Sequence, residues 1–203
     1  MKIVLASTSE TRKKILSLLN IHFTTVAPLF EEDSASHLSP PEEASLFAKQ
    51  KALSLADQFK NALIIGCDTL VDLNNQKIGK PNNLQHAREM LKSLRGQCLL
   101  IHTGLYIFDT KMNAGLAHLE TTQVTMKNYD AAILEEYLQK TNPLDKAGAC
   151  TLEGPGEMLI ASVKGDFLSA MGLPLQKVAE ILRQKKLSFN AGFLNHYPTL
   201  HNF

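Results

Sequence analysis

Residues 62–81, Ala-Leu-Ile-Ile-Gly-Cys-Asp-Thr-Leu-Val-Asp-Leu-Asn-Asn-Gln-Lys-Ile-Gly-Lys-Pro, constrain the fold more than any other stretch. The apolar run Ala62 to Ile65 reads as a buried strand, and it delivers Asp68 among Gly66, Cys67, Thr69, Leu70 and Val71. A charge in such surroundings is unfavourable unless something compensates it. Asp68 therefore implies a divalent cation, a proton-transfer role, or a turn that it caps. Lys80, in the Gly-Lys-Pro turn just past the hairpin-like Asn74-Asn75, supplies a cation suited to phosphate.

The composition excludes several classes of protein. With 203 residues, 44% of them hydrophobic, the chain can bury a sizeable core in one domain or two closely joined lobes. Its 21 basic and 20 acidic residues give a net charge of +1, so no overall field attracts nucleic acid, and any anion must be held by local grouping. Cys67, Cys98 and Cys150 lack the Cys-x-x-Cys spacing of a zinc site and are odd in number, which predicts reduced core thiols in a cytoplasmic protein. No apolar run approaches the length of a membrane span, so no membrane partner is expected.

Taken in order, Ile3 to Ala6 predict a first strand, and the hydroxyls of Ser7-Thr8-Ser9 stand where they would cap a helix over about Glu10–Leu19. Arg12, Lys13 and Lys14 near the start of that helix oppose its dipole, an arrangement that favours a bound anion. Phe23 to Val26 predict a second strand, followed by an acidic loop at Glu31-Glu32-Asp33. A helix from Pro40-Pro41 toward Asp57 places Lys51 on or beside its apolar stripe, which points to a cleft. Further on, the periodicity predicts a helix over Leu84–Leu94 and strands over Cys98–Phe108 and Thr121–Met126, the last two joined through Lys111–Gly115. A helix is expected over Asp130–Lys140, a loop over Pro143–Ala149, and strands over Met158–Val163 and near Phe167. The final helix is expected from about Pro174 to Arg183, with no clear period in the last twenty residues.

These pieces together resemble one family. Leu5-Ala6-Ser7-Thr8-Ser9-Glu10-Thr11-Arg12 is similar to the Leu-Ala-Ser-x-Ser-Pro-Arg-Arg opening of the Maf family of nucleoside triphosphate pyrophosphatases. Lys51-Ala52, Gly66-Cys67-Asp68-Thr69, Gly79-Lys80-Pro81, Thr103-Gly104, Pro143 to Gly148, Glu153-Gly154, Gly165-Asp166 and Gly172-Leu173-Pro174 match further family motifs in the same order. The resemblance covers roughly residues 2–183. It implies an α/β fold of the Maf and inosine-triphosphatase type: a mixed, elongated, curved sheet with flanking helices, and two lobes around a cleft. Residues 1–185 would form that single domain, residues 186–203 a peripheral tail, and the protein a homodimer. The implied reaction splits a nucleoside triphosphate, standard or modified, into the monophosphate and pyrophosphate with Mg2+ or Mn2+.

By the same resemblance Ser7, Ser9, Arg12, Lys51 and Lys80 contact the triphosphate, and Asp68 acts as proton acceptor or holds the metal. Glu32, in the family's loop-glutamate position next to Glu31, is the second metal carboxylate. Cations that neutralise phosphate charge and a carboxylate that positions metal or water are what such hydrolysis requires. Base preference is expected to rest on Thr11, Thr69 and Glu153. Thr11 stands where the family has arginine or tryptophan, and Thr69 is similar to the branch that takes dTTP and UTP. Glu153 is similar to the branch that takes 7-methyl-GTP, and its ionised carboxylate, an acceptor only, suits a guanine edge. On that ground the sequence leans to 7-methyl-GTP, with dTTP and UTP as the alternative substrates. An inosine-triphosphate-type pyrophosphatase fits Ser7-Thr8-Ser9 poorly, and a non-catalytic nucleotide-binding regulator of cell division is the reading from another class.

Overall fold

The computed structural model describes residues 1–31, 37–189 and 192. Among them, seven strands form one sheet: β1 (Lys2–Ala6), β2 (Thr24–Val26), β3 (Ala62–Leu73), β4 (Gln76–Ile78), β5 (Cys98–Asp109), β6 (Ala114–Met126) and β7 (Ile160–Lys164). The order is β2-β1-β3-β5-β6-β7, with β4 folded back on the far end of β3. β2, β1 and β3 run parallel, whereas β3, β5, β6 and β7 are antiparallel, so the sheet is mixed. The flanking helices are α1 (Glu10–Ser17), α2 (Pro40–Leu53), α3 (Leu84–Leu94), α4 (Ala131–Lys140), α5 (Phe167–Ala170) and α6 (Leu175–Gln184). None of the helices among the described residues is long and apolar enough to cross a membrane.

The central strands are apolar on both faces because both faces are covered. Alternate side chains of β1 enter two different cores: Ile3 and Leu5 join the larger one, with Ile15 and Leu16 of α1, and Val4 and Ala6 join the smaller one under α2. α2 lies directly on the sheet because β3 and β5 carry glycine beneath it. A Cβ at Gly66 would sit 2.2 Å from the Ala48 carbonyl oxygen, and one at Gly104 equally close to that of Ala44. The two glycines let helix backbone rest on strand backbone, and that contact fixes how far Lys51 stands from β3.

Several boundaries differ from the sequence expectation. β3 runs on to Leu73, so Asp68 lies inside a strand and caps no turn. β6 begins at Ala114, well before Thr121, and its first half is mostly exposed. The segment near Phe167 is the helical turn α5, capped by Asp166 accepting from Ser169 N, and not a strand. α2 stops at Leu53, and a separate 3-10 turn spans Ala56–Gln58. Cys67 is buried and Cys150 half-buried, but Cys98 is exposed and is no core thiol. Beyond α6, Leu187 and Phe189 pack against the larger core.

Candidate active site

A cleft of about 360 Å3 lies where the start of α1, the end of α2, the middle of β3 and the loop after α4 meet. Ser9, Thr11, Arg12, Lys51, Asp68, Thr69, Lys80 and Lys146 line it, and it continues into a neighbouring space of about 550 Å3 bounded by Ser7, Thr8, Pro28 and Phe30.

Each functional side chain arrives for a local reason. Ser9 is the N-cap of α1 and its Oγ accepts from Arg12 N, so the helix begins at the cleft wall and carries Arg12 into it. Ser7 is buried, and its Oγ accepts from Ser9 N at 3.1 Å, which fixes the strand-to-helix bend. Lys51 comes from the last turn of α2 and is 7% exposed; Asp68, from β3, is 5% exposed. Lys51 Nζ donates to Asp68 Oδ1 at 2.5 Å, a charge-assisted bond between two groups that burial would otherwise penalise. Lys80 is exposed in its turn, and that turn is tied to the one bearing Lys146 by Gly148 N donating to the Gly79 carbonyl.

Arg12 is held from two sides. Its Nε donates to the Gly172 carbonyl at 2.9 Å, and its Nη2 to Thr69 Oγ1 at 3.3 Å. Gly172 sits at φ 114°, a conformation that side chains rarely adopt, and a Cβ there would lie 3.3 Å from Arg12 Nε. Burial pushes the Cys67 thiol, next to Asp68 in sequence, up to about 12, which removes it as a nucleophile at neutral pH.

The structure thus brings Ser7, Ser9, Thr11, Arg12, Lys51, Asp68, Thr69 and Lys80 together. It does not bring Glu153 with them. Glu153 lines an adjoining space of about 420 Å3 with Tyr137, Thr141, Asn142, Thr151 and Pro155, and only Asp145 and Lys146 border both. Glu32 lies outside the described residues. Lys146 carries a further cation into the cleft, a role that the sequence does not single out. Its pairing with neighbouring Asp145 at 3.1 Å looks in the sequence like an ordinary surface pair, and only its place in the Pro143–Gly148 motif marked it.

Among the described residues no group of three or more His, Cys, Asp or Glu is arranged to hold a metal ion. The donor set is one buried carboxylate, Asp68, facing several cations. That chemistry fits a Mg2+ or Mn2+ ion that shares its coordination shell with phosphate oxygens, not one held in an all-protein cage.

Fold and cleft define a mixed α/β protein with a cation-lined cleft around one buried carboxylate. The family described as Maf-like protein matches residues 2–185, and the chain belongs to that family. It is 33% identical over 184 residues to the dTTP/UTP pyrophosphatase of Dictyoglomus thermophilum, covering 90% of this chain and 95% of that one. To the dTTP/UTP pyrophosphatase of Methanosarcina mazei it is 36% identical over 188 residues, covering 92% and 95%. A solved structure of the Staphylococcus aureus Ham1 protein aligns with a TM-score of 0.45 at 13% identity, over 63% of this chain and 73% of that one.

Proposed function

We propose that the protein hydrolyses a nucleoside triphosphate between its α and β phosphates, releasing the monophosphate and pyrophosphate. The observation that carries this is the convergence of Arg12, Lys51, Lys80 and Lys146, from four separate segments, on one cleft around Asp68. Cations so distributed can follow a whole triphosphate tail, so that the β and γ phosphates leave as one neutralised group. Arg12, pinned by Gly172 and Thr69, offers its remaining donors as a fixed fork to phosphate oxygens. Lys80 and Lys146 at the rim draw the polyanion in. Asp68, with Lys51 beside it, is placed to take the proton of an attacking water. Asp68 would also be the described residue that holds a divalent cation, which when bound neutralises phosphate charge and lowers the pKa of its water. A buried carboxylate among phosphate-binding cations favours catalysis over mere nucleotide binding, because it would repel a ligand that was only to be held.

For the base we propose dTTP and UTP, in line with the names of the relatives. The lean to 7-methyl-GTP drawn from Glu153 finds no support in those names, and the geometry supplies a reason to drop it. The space around Glu153 also holds Asn142 and Lys146, donors that could serve the O2 and O4 acceptors of a pyrimidine while the carboxylate accepts from N3–H. We further propose a homodimer, which light scattering of the eluted protein tests. The activity is tested by following products from dTTP, UTP, 7-methyl-GTP and GTP. Pyrophosphate and the monophosphate as first products of the two pyrimidine nucleotides are expected; nucleoside diphosphate and orthophosphate would overturn the reading.

A further inference from the structure

The hydrogen bonds around Arg12 close into a ring whose protons can all be assigned. Arg12 Nη2 donates to Thr69 Oγ1. Thr69 Oγ1 lies 3.1 Å from Thr103 Oγ1, its directly opposed partner across β3 and β5. Thr103 Oγ1 donates to the Ser169 carbonyl at 2.7 Å, and Gly172 N donates to that same carbonyl at 2.8 Å. The Gly172 carbonyl then accepts from Arg12 Nε, which completes the circuit.

A hydroxyl has a single proton to give. A carbonyl can only accept, so the Thr103 proton is committed to Ser169. The bond between the two threonines must therefore carry the Thr69 proton toward Thr103. Thr69 in turn is left with lone pairs only, one of them facing Arg12. Thr69 has no proton for a nucleobase, whatever the half-exposed position of its side chain would allow.

We propose that Thr103, fully buried and outside the cleft lining, is a positioning residue of the site: by fixing the Thr69 hydroxyl as an acceptor it locks the Arg12 guanidinium in place for the polyphosphate. Thr69 then acts on the substrate through Arg12 and can offer a nucleobase only an acceptor. The inference rests on the proposed role of Arg12 as a polyphosphate ligand. Loss of either threonine hydroxyl breaks the same arm of the ring, so the two losses should not add. The other arm, through Gly172, would keep Arg12 in the cleft but free to swing.

The test is a double-mutant cycle of Thr69→Val, Thr103→Val and the two combined, with Thr103→Ser as the conservative variant. Sodium tripolyphosphate binding is measured by calorimetry, and kcat and KM for UTP are measured alongside. Urea midpoints report folding, and Thr103→Ala takes the place of Thr103→Val if the latter does not fold. Each single variant should weaken tripolyphosphate binding and raise KM about tenfold, the loss of one charge-assisted hydrogen bond, with a smaller change in kcat. The double variant should lose no more than about twofold beyond either single one, and Thr103→Ser should regain most of the affinity. Additive losses, or a Thr103→Val affinity within twofold of wild type, overturn the proposal. Wild-type protein that binds tripolyphosphate but hydrolyses no nucleotide overturns the hydrolase reading and leaves the ring to be judged by the binding cycle. Wild-type protein that binds neither overturns both.

Discussion

Lys51 Nζ, on α2, lies 2.5 Å from Asp68 Oδ1, on β3, with both side chains more than nine-tenths removed from solvent. The pair joins the two elements that enclose the cleft. It also places the carboxylate most suited to proton transfer next to a cation that a phosphate would attract. One bond therefore ties the fold to the chemistry proposed above.

Asp68→Asn keeps the size and hydrogen-bonding reach of the side chain but cannot take a proton. We expect turnover to fall on the order of 100-fold or more, in kcat and not in KM. Steady-state pyrophosphate release measures this, and a variant that kept more than about a third of wild-type turnover would make Asp68 a structural residue only.

Lys51→Met and Lys80→Met should separate stability from binding. Lys51 is buried against a carboxylate, and taking one partner from such a pair costs about 3 kcal/mol or more. Lys80 is exposed, so its loss should leave the urea midpoint almost unchanged while raising KM and flattening its salt dependence. Equal midpoints for the two variants would contradict the buried pairing.

Glu153→Gln should raise kcat/KM for UTP and dTTP about fivefold. An amide can accept from N3–H and donate to O4 at once, one hydrogen bond of about 1 kcal/mol more than the carboxylate offers. If the ratio of UTP to GTP hydrolysis moved by less than twofold, the space around Glu153 would not hold the base.

Asp109 supplies a stability test by pH. Burial pushes its carboxyl upward, but the Lys185 ammonium at 2.6 Å and the N–H groups of Met112 and Lys111 outweigh it, and the group titrates below its ordinary 3.8. A depressed folded-state value means the stabilisation is complete above about pH 4 and is lost as pH falls through the folded-state value. The gap in urea midpoint between wild type and Asp109→Asn should therefore be widest near neutrality and close below pH 3.8. A gap that stayed constant from pH 7 to 3 would rule out the ion pair as its source.

The buried pair was legible in the sequence because a charge inside an apolar pattern is conspicuous: Asp68 interrupts the run after Ile65, and Lys51 lies on or beside the apolar stripe of its helix. The full length of β3 was not. Thr69 and Asp72 look like the end of a strand, yet both stay within it because β5 supplies partners, Thr103 to the first and His102 to the second at 3.2 Å. A cross-strand partner thirty residues away leaves no local trace. The same is true of the Thr69 hydroxyl: the direction of its proton follows from Thr103 and Ser169, neither of them near it in the chain. The strand expected near Phe167 is a helical turn for another reason, since so short an apolar run has no period to distinguish strand from helical turn.

The glycines under α2 give the site an unusual vulnerability. Gly66 and Gly104 touch no phosphate, yet they act as spacers of zero thickness between helix and sheet. A methyl group at either position would lift the helix and draw the ammonium of Lys51 off its carboxylate, as a shim under one leg tilts a whole instrument. Inactivating changes in this protein should accordingly gather along the underside of α2 as well as around the cleft.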